Sequence, residues 1–188
     1  KPFCPEEFYC RIMQNNEKLQ YIEETEHAAN TDYLTSLYNR RHFLGKARKV
    51  QLELGEQNDT YILVILCIEN FKTVNDKHGH KVGDEVLIEL SNLLKEHFAS
   101  DILARFGGAE FGLLLYGDEV DEIENRICKF QNLVSGQVVN YKNSNVNFTL
   151  SIGGTLLDAE NTLQALLRKA DIALHEAAAK GENELVIN

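Results

Sequence analysis

The side chains that could do chemistry in this chain are few and unevenly spaced. Cysteines stand at 4, 10, 67 and 128, a spacing that matches no metal-binding pattern. Cys67 sits inside an apolar run and Cys128 in a helix-like stretch, so reduced thiols in a cytosolic setting are expected. His78 and His80 flank Gly79, but no carboxylate or thiol follows at ligand spacing, so His80 is assigned to stabilising a turn. Carboxylates and amides gather in two places: Glu69 and Asn70 after an apolar run, then Asn75, Asp76 and Asp84, with Lys72 among them. A third group is Gly107-Gly108-Ala109-Glu110-Phe111, lying between two strand-like runs. A Gly-Gly pair there predicts a two-residue hairpin turn, because such turns need positive φ.

The periodicities say what must position these residues. Tyr61 to Ile68 is a continuous apolar run, which suits a central strand covered on both faces. A helix is predicted from near Asn39, with Phe43, Leu44, Ala47 and Val50 on one face. Gly83-Asp84 is read as opening another, with Val86, Leu87, Leu90, Leu93, Leu94 and Phe98 inward. Ile102–Phe106 and Phe111–Leu115 form the hairpin, and a helix follows from about Asp118 to Val134. Val146, Phe148, Leu150 and Ile152 alternate as a half-buried strand would. Leu163 to Ala177 is the last helix and Glu184–Ile187 the last strand. The order predicts an α/β fold with a mainly antiparallel central sheet flanked by helices. Before it, Phe8, Ile12, Asn15, Leu19, Ile22, Glu26 and Ala29 follow a heptad seam. Residues 1–30 are therefore read as a coiled-coil linker or signalling helix, and 31–188 as the domain.

Composition narrows the partners. The chain has 188 residues, 44% hydrophobic and 26% charged, with a net charge of -10. That balance is ordinary for a globular protein and argues against nucleic acid, whose backbone selects a basic surface. No apolar run nears the roughly 20 residues that span a bilayer, and no signal peptide is visible after Lys1. A cytoplasmic location is expected, alone or as the cytoplasmic part of a larger membrane-bound sensor.

Four blocks carry a resemblance. They are Asp32-Tyr33-Leu34-Thr35-Ser36-Leu37-Tyr38-Asn39-Arg40-Arg41; Phe71-Lys72-x-x-Asn75-Asp76-x-x-Gly79-His80-x-x-Gly83-Asp84; Arg105-Phe106-Gly107-Gly108-Ala109-Glu110-Phe111; and Ala170-Asp171-x-Ala173-Leu174, followed by Gly181 and Asn183. In this order they resemble the GGDEF family. The resemblance implies a palm-like nucleotide cyclase architecture. It also implies an activity, since active members condense two GTP molecules into cyclic di-GMP across two facing domains. That is phosphoryl transfer, driven by positioning and by two metal ions that neutralise charge.

Carried over residue by residue, the family pattern is broken here. Its metal-binding Asp, in Asp-x-Asp-x-Phe-Lys, is replaced by Cys67, and the third letter of the GGDEF motif by Ala109. Glu110 remains, but as the strand neighbour of Ala109 it is expected on the opposite face. Glu69 shares a face with Cys67, roughly 6.6 Å along the strand, and is a candidate rescue ligand. The Lys and Arg that reach the triphosphate are replaced by Ala178 and Glu182, and a Tyr by His175. Lys180 is turned away by about 200° of helix. The inhibitory product site, Arg-x-x-Asp in the family, reads Phe98-Ala99-Ser100-Asp101. What survives is the guanine-facing set of Asn75 and Asp84, with Lys72, whose structural alternative is to satisfy turns and cap the next helix. Asp32 and Arg40-Arg41 are expected to join the linker to the domain.

The expected function is thus a non-catalytic regulatory module of cyclic di-GMP signalling. Its partners would be a second copy or a GGDEF or phosphodiesterase protein. The alternatives are a guanine-nucleotide receptor without turnover and an active or weakly active diguanylate cyclase. No catalytic residue, metal ligand or cofactor is assigned; Mg2+ enters only with the cyclase alternative.

Overall fold

The computed structural model describes residues 28–54, 59–142 and 144–188. The heptad seam from Phe8 to Glu26 therefore lies outside the described residues. The chain runs β1 (Tyr38–Asn39), α1 (Arg40–Glu53), β2 (Thr60–Ile68), α2 (Phe71–His78), α3 (His80–His97), β3 (Ile102–Gly107), β4 (Glu110–Gly117), α4 (Val120–Ser135), β5 (Val139–Tyr141), β6 (Ser144–Val146), β7 (Leu150–Leu156), α5 (Leu163–Lys180) and β8 (Leu185–Ile187). Six strands form one sheet in the order β1-β3-β4-β2-β7-β8, and β5 pairs with β6 apart from it. The three inner pairings are antiparallel; β1 with β3 and β7 with β8 are parallel.

β2 is central, as its apolar run predicts, and its alternate residues feed two cores. Ile62, Val64, Leu66 and Ile68 meet Val86, Leu90 and Leu94 of α3 and Ile123, Ile127 and Phe130 of α4. Leu63 and Ile65 meet Phe43 and Ala47 of α1 and Leu166, Ala170 and Leu174 of α5. Asn39 starts α1 as expected, its Oδ1 accepting from the His42 N–H at 3.0 Å.

Four local expectations are corrected. α3 begins at His80, not at Gly83, and a short helix, α2, precedes it. Gly79, at φ +87°, makes the break between them, while Gly83 lies buried within α3. A Cβ on Gly83 would stand 2.0 Å from Asn75 Oδ1, so that glycine serves the contact between the two helices. The hairpin turn is Gly108-Ala109, because Gly107 pairs with Glu110 after a register shift beyond Arg105. Finally, the alternation from Val146 to Ile152 is not one strand: β6 ends at Val146, β7 starts at Leu150, and residues 150–155 are all buried. β7 lies between β2 and β8 with α5 against it, so neither face meets water.

Candidate functional site

A cleft of about 470 Å³ opens where β2, the hairpin and the end of α5 converge. It is lined by Cys67, Ile68, Glu69, Asn70, Glu110, Ser151, Leu174, His175, Ala178, Gly181 and Glu182. Its floor follows from strand register. Cys67 faces Glu110 across the β2–β4 pairing, and cross-strand partners share a face. Glu110 is thus on the Cys67 side and opposite to Ala109, as strand neighbours should be, but it is Glu110 and not residue 109 that faces the cleft. The physical reason is that Ala109 belongs to the turn; its carbonyl accepts from Ile68 N–H at 3.1 Å and its methyl packs on the α3–α4 side.

Cys67 is half-buried. Burial pushes its thiol up to about 11, helped by the nearby carboxylates of Glu110 and Glu69, so it is neutral at physiological pH. Glu69 stands just past β2 with both carboxylate oxygens hydrogen-bonded. Oε2 accepts from the Thr149 hydroxyl at 2.6 Å; Oε1 accepts from the Ser151 hydroxyl at 2.6 Å and from the Asn183 N–H at 3.0 Å. Three glutamates line the cleft and no Lys or Arg does. Lys180 is exposed outside it. Among the described residues no group of three or more His, Cys, Asp and Glu is arranged to hold a metal ion.

Asn75, Asp84 and Lys72 are not part of this cleft. Asn75 packs its side chain against Gly83, next in sequence to exposed Asp84, and Lys72 is exposed on α2. The capping alternative for Asn75 and Asp84 fails. The residue before α3 is Gly79, with no side-chain cap, and Asp84 lies inside that helix. His80 is the first residue of α3, and His78 Nδ1 lies 3.4 Å from the Ser144 hydroxyl.

The two flanks of the hairpin are tied down. Asp32 accepts from Arg105 Nη1 at 3.1 Å and from the Thr35 hydroxyl and N–H at 2.8 and 3.0 Å. Arg105 in turn donates to the Gly108 carbonyl at 2.8 Å. Burial works to raise the Asp32 carboxyl, but the Thr35 and Arg105 hydrogen bonds outweigh it and hold it below its ordinary range. Arg40 stacks over Phe106, 5.1 Å from the ring centre. Asp32 thus fastens the segment before β1 to the hairpin, and Arg40 fastens the start of α1 to it. Phe98 is 2% exposed and packs edge-on against Phe130. Asp101 accepts from the Tyr116 N–H and from Arg126 of α4. Neither the Glu69 bonds nor the Asp101–Arg126 pair has a signal in sequence spacing, since their partners lie up to 114 residues apart. α2 did have one: Lys77-His78 before Gly79 is a helix ending.

Comparison with known proteins agrees with this geometry. The family model described as "Diguanylate cyclase, GGDEF domain" matches residues 29–184. Probable diguanylate cyclase DgcT of Escherichia coli is 35% identical over 172 residues, covering 88% of this chain and 37% of that protein. Response regulator PleD of Caulobacter vibrioides is 29% identical, covering 99% and 43%. The chain spans less than half the length of these curated relatives. Among solved structures, the coiled coil and GGDEF domain of DgcB from Caulobacter crescentus, in complex with c-di-GMP, superposes with a TM-score of 0.88 at 25% identity. It covers 97% of this chain and 98% of that one. Diguanylate cyclase SiaD of Pseudomonas aeruginosa, in complex with its activator SiaC, gives 0.81 at 27%, covering 97% and 75%. This chain belongs to the GGDEF family of cyclic di-GMP signalling domains.

Proposed function

We propose that this chain is a non-catalytic regulatory GGDEF module. The observation that carries the reading is the cleft between β2, the hairpin and α5. At the family's two metal positions stand Cys67, a neutral thiol, and Ala109, a methyl turned to the other side of the sheet. Magnesium selects hard oxygen ligands, and beside the hydrogen-bonded Glu69 the cleft offers only Glu110 and Glu182, neither at a family metal position. The residues present do not fit the two-metal centre of a cyclase. Nor do they suit a triphosphate, since the cleft holds three glutamates and neither Lys nor Arg. Each metal contributes several kcal/mol to such chemistry, and each 1.36 kcal/mol is tenfold in rate. With GTP and Mg2+ the purified protein is expected to make cyclic di-GMP at no more than background, measured by chromatography. Clear product formation would favour the cyclase alternative.

A second reading, guanine-nucleotide binding without turnover, has its own support. Asn75 and Asp84 retain the family's guanine-facing groups, and neither caps α3, although Asn75 also packs against Gly83 at the α2–α3 contact. A carboxylate can accept from guanine N1 and N2. Calorimetric titration with GTP tests it: binding lost in Asp84→Ala would support the receptor reading. At the family's product site, Phe98 offers no donor and Asp101 is occupied by Arg126, so cyclic di-GMP is not expected to bind there. Regulation would then run through protein contacts, with a second copy or a cyclase or phosphodiesterase protein as partner. The complex of SiaD with SiaC is a precedent for partner binding within the family.

A further inference from the structure

We propose that Glu69 is the latch that fastens the turn between α5 and β8 across the cleft, and that this duty withholds it from cation binding. It deepens the non-catalytic reading, on which it rests only for the second clause. The latch joins three parts of the chain. Its carboxylate takes hydrogen bonds from Thr149, just before β7, from Ser151 within β7, and from the N–H of Asn183 in the turn. The Glu69 N–H also donates to the Thr149 carbonyl at 3.0 Å. Asn183 sits at φ +60°, a left-handed turn conformation that Asn tolerates better than other non-glycine residues. The turn bonds to the sheet on its far side through the Glu184 carbonyl, which accepts from Ile152 N–H at 3.0 Å. β8 itself is three residues long and lies at the sheet edge, paired with β7 and packed through Val186 on Ala173 and Ala177, so the turn that leads into it needs its own anchor. Fixing Asn183 also sets its neighbour Glu182 at the cleft wall.

The same bonds decide what Glu69 cannot do. A carboxylate has about four acceptor positions, and three are taken, two on Oε1 and one on Oε2. Hydrogen bonds to a charged acceptor are among the stronger ones, and three of them spread the charge of Glu69 over Thr149, Ser151 and Asn183, which leaves a weak ligand for a cation at the position still open on Oε2. Thr149 and Ser151, which carry no obvious signature in the sequence, are therefore the residues that turn a candidate ligand into a structural one.

The experiment is amide hydrogen exchange and thermal unfolding of the unaltered protein and of Glu69→Gln, each with and without Mn2+. In Glu69→Gln the Asn183 amide is expected to exchange roughly tenfold faster or more, with the amides of β2 unchanged. Any Mn2+ effect on Tm should be equal in the two proteins. Unchanged exchange at Asn183 would overturn the latch. A rise in Tm with Mn2+ that Glu69→Gln abolishes would overturn it too, since Glu69 would then be a ligand. If β2 amides accelerate as well, Ser151→Ala, which keeps the carboxylate, decides: a smaller acceleration confined to residues 181–187 supports the latch, and none overturns it. Formation of cyclic di-GMP by the unaltered protein, matched by Glu69→Gln, would end the non-catalytic reading and leave the latch standing.

Discussion

At the scale of residues, two groups carry measurable consequences of their surroundings. Cys67 has its thiol pushed up to about 11 by burial and by Glu110 and Glu69, and the thiolate is the reactive form. Alkylation by iodoacetamide at pH 8 should modify exposed Cys128 far faster than Cys67, with peptide mass spectrometry as the readout. Asp32 behaves in the opposite sense. Its folded-state value lies below the unfolded one, so it contributes stability at neutral pH that is lost as pH falls below about 4, through the folded value. Asp32→Asn should destabilise by about 1 kcal/mol at pH 7 and flatten the acid arm of a Tm-versus-pH curve. Equal losses at pH 7 and pH 2.5 would contradict the assignment.

At the scale of elements, two glycines separate a hard contact from a soft one. A Cβ on Gly153 of β7 would lie 2.0 Å from the Leu174 backbone N and 2.4 Å from the Ala170 carbonyl oxygen. Both belong to the rigid backbone of α5, so the whole helix would have to retreat from the sheet. Gly153→Ala should cost about 3 kcal/mol or more, seen as a lower denaturation midpoint. On Gly83 the clash is with Asn75 Oδ1, the end of a side chain that can rotate away. Gly83→Ala should cost about 1 kcal/mol, and a loss as large as that of Gly153→Ala would show Asn75 to be locked. The order of the longer elements was readable from pattern, because the long helices bury one face and the doubly covered β2 reads as a continuous apolar run, whereas α2 and the short β1, β5 and β6 were not. The start of α3 was not, because Gly83 resembles a boundary in sequence and is a packing contact in space.

At the scale of the whole molecule, the open matter is association. Phe8, Ile12, Leu19 and Ile22 form an apolar stripe that the heptad reading assigns to a coiled coil. Sedimentation of the protein is expected to show a dimer that Ile12→Glu with Leu19→Glu converts to monomer, with the domain's own unfolding little altered. A monomer at every concentration up to about 100 times a micromolar dissociation constant would remove support for that role. A drop in Tm in the double variant without change of mass would mean that the stripe packs on its own domain.

The sequence by itself determined the family, the mainly antiparallel α/β architecture and that a cysteine stands at 67 and an alanine at 109. These are statements about which residue types recur at which spacing, and spacing is local information. Only the tertiary structure decided that Glu110 shares a face with Cys67, because the register shift beyond Arg105 places the turn one residue later than Gly-Gly suggests. The same is true of Glu69, whose partners Thr149, Ser151 and Asn183 come from chain positions 80 to 114 residues away. No spacing rule reaches that far, since what brings those atoms together is the pairing of β2 with β7 and the return of the chain after α5.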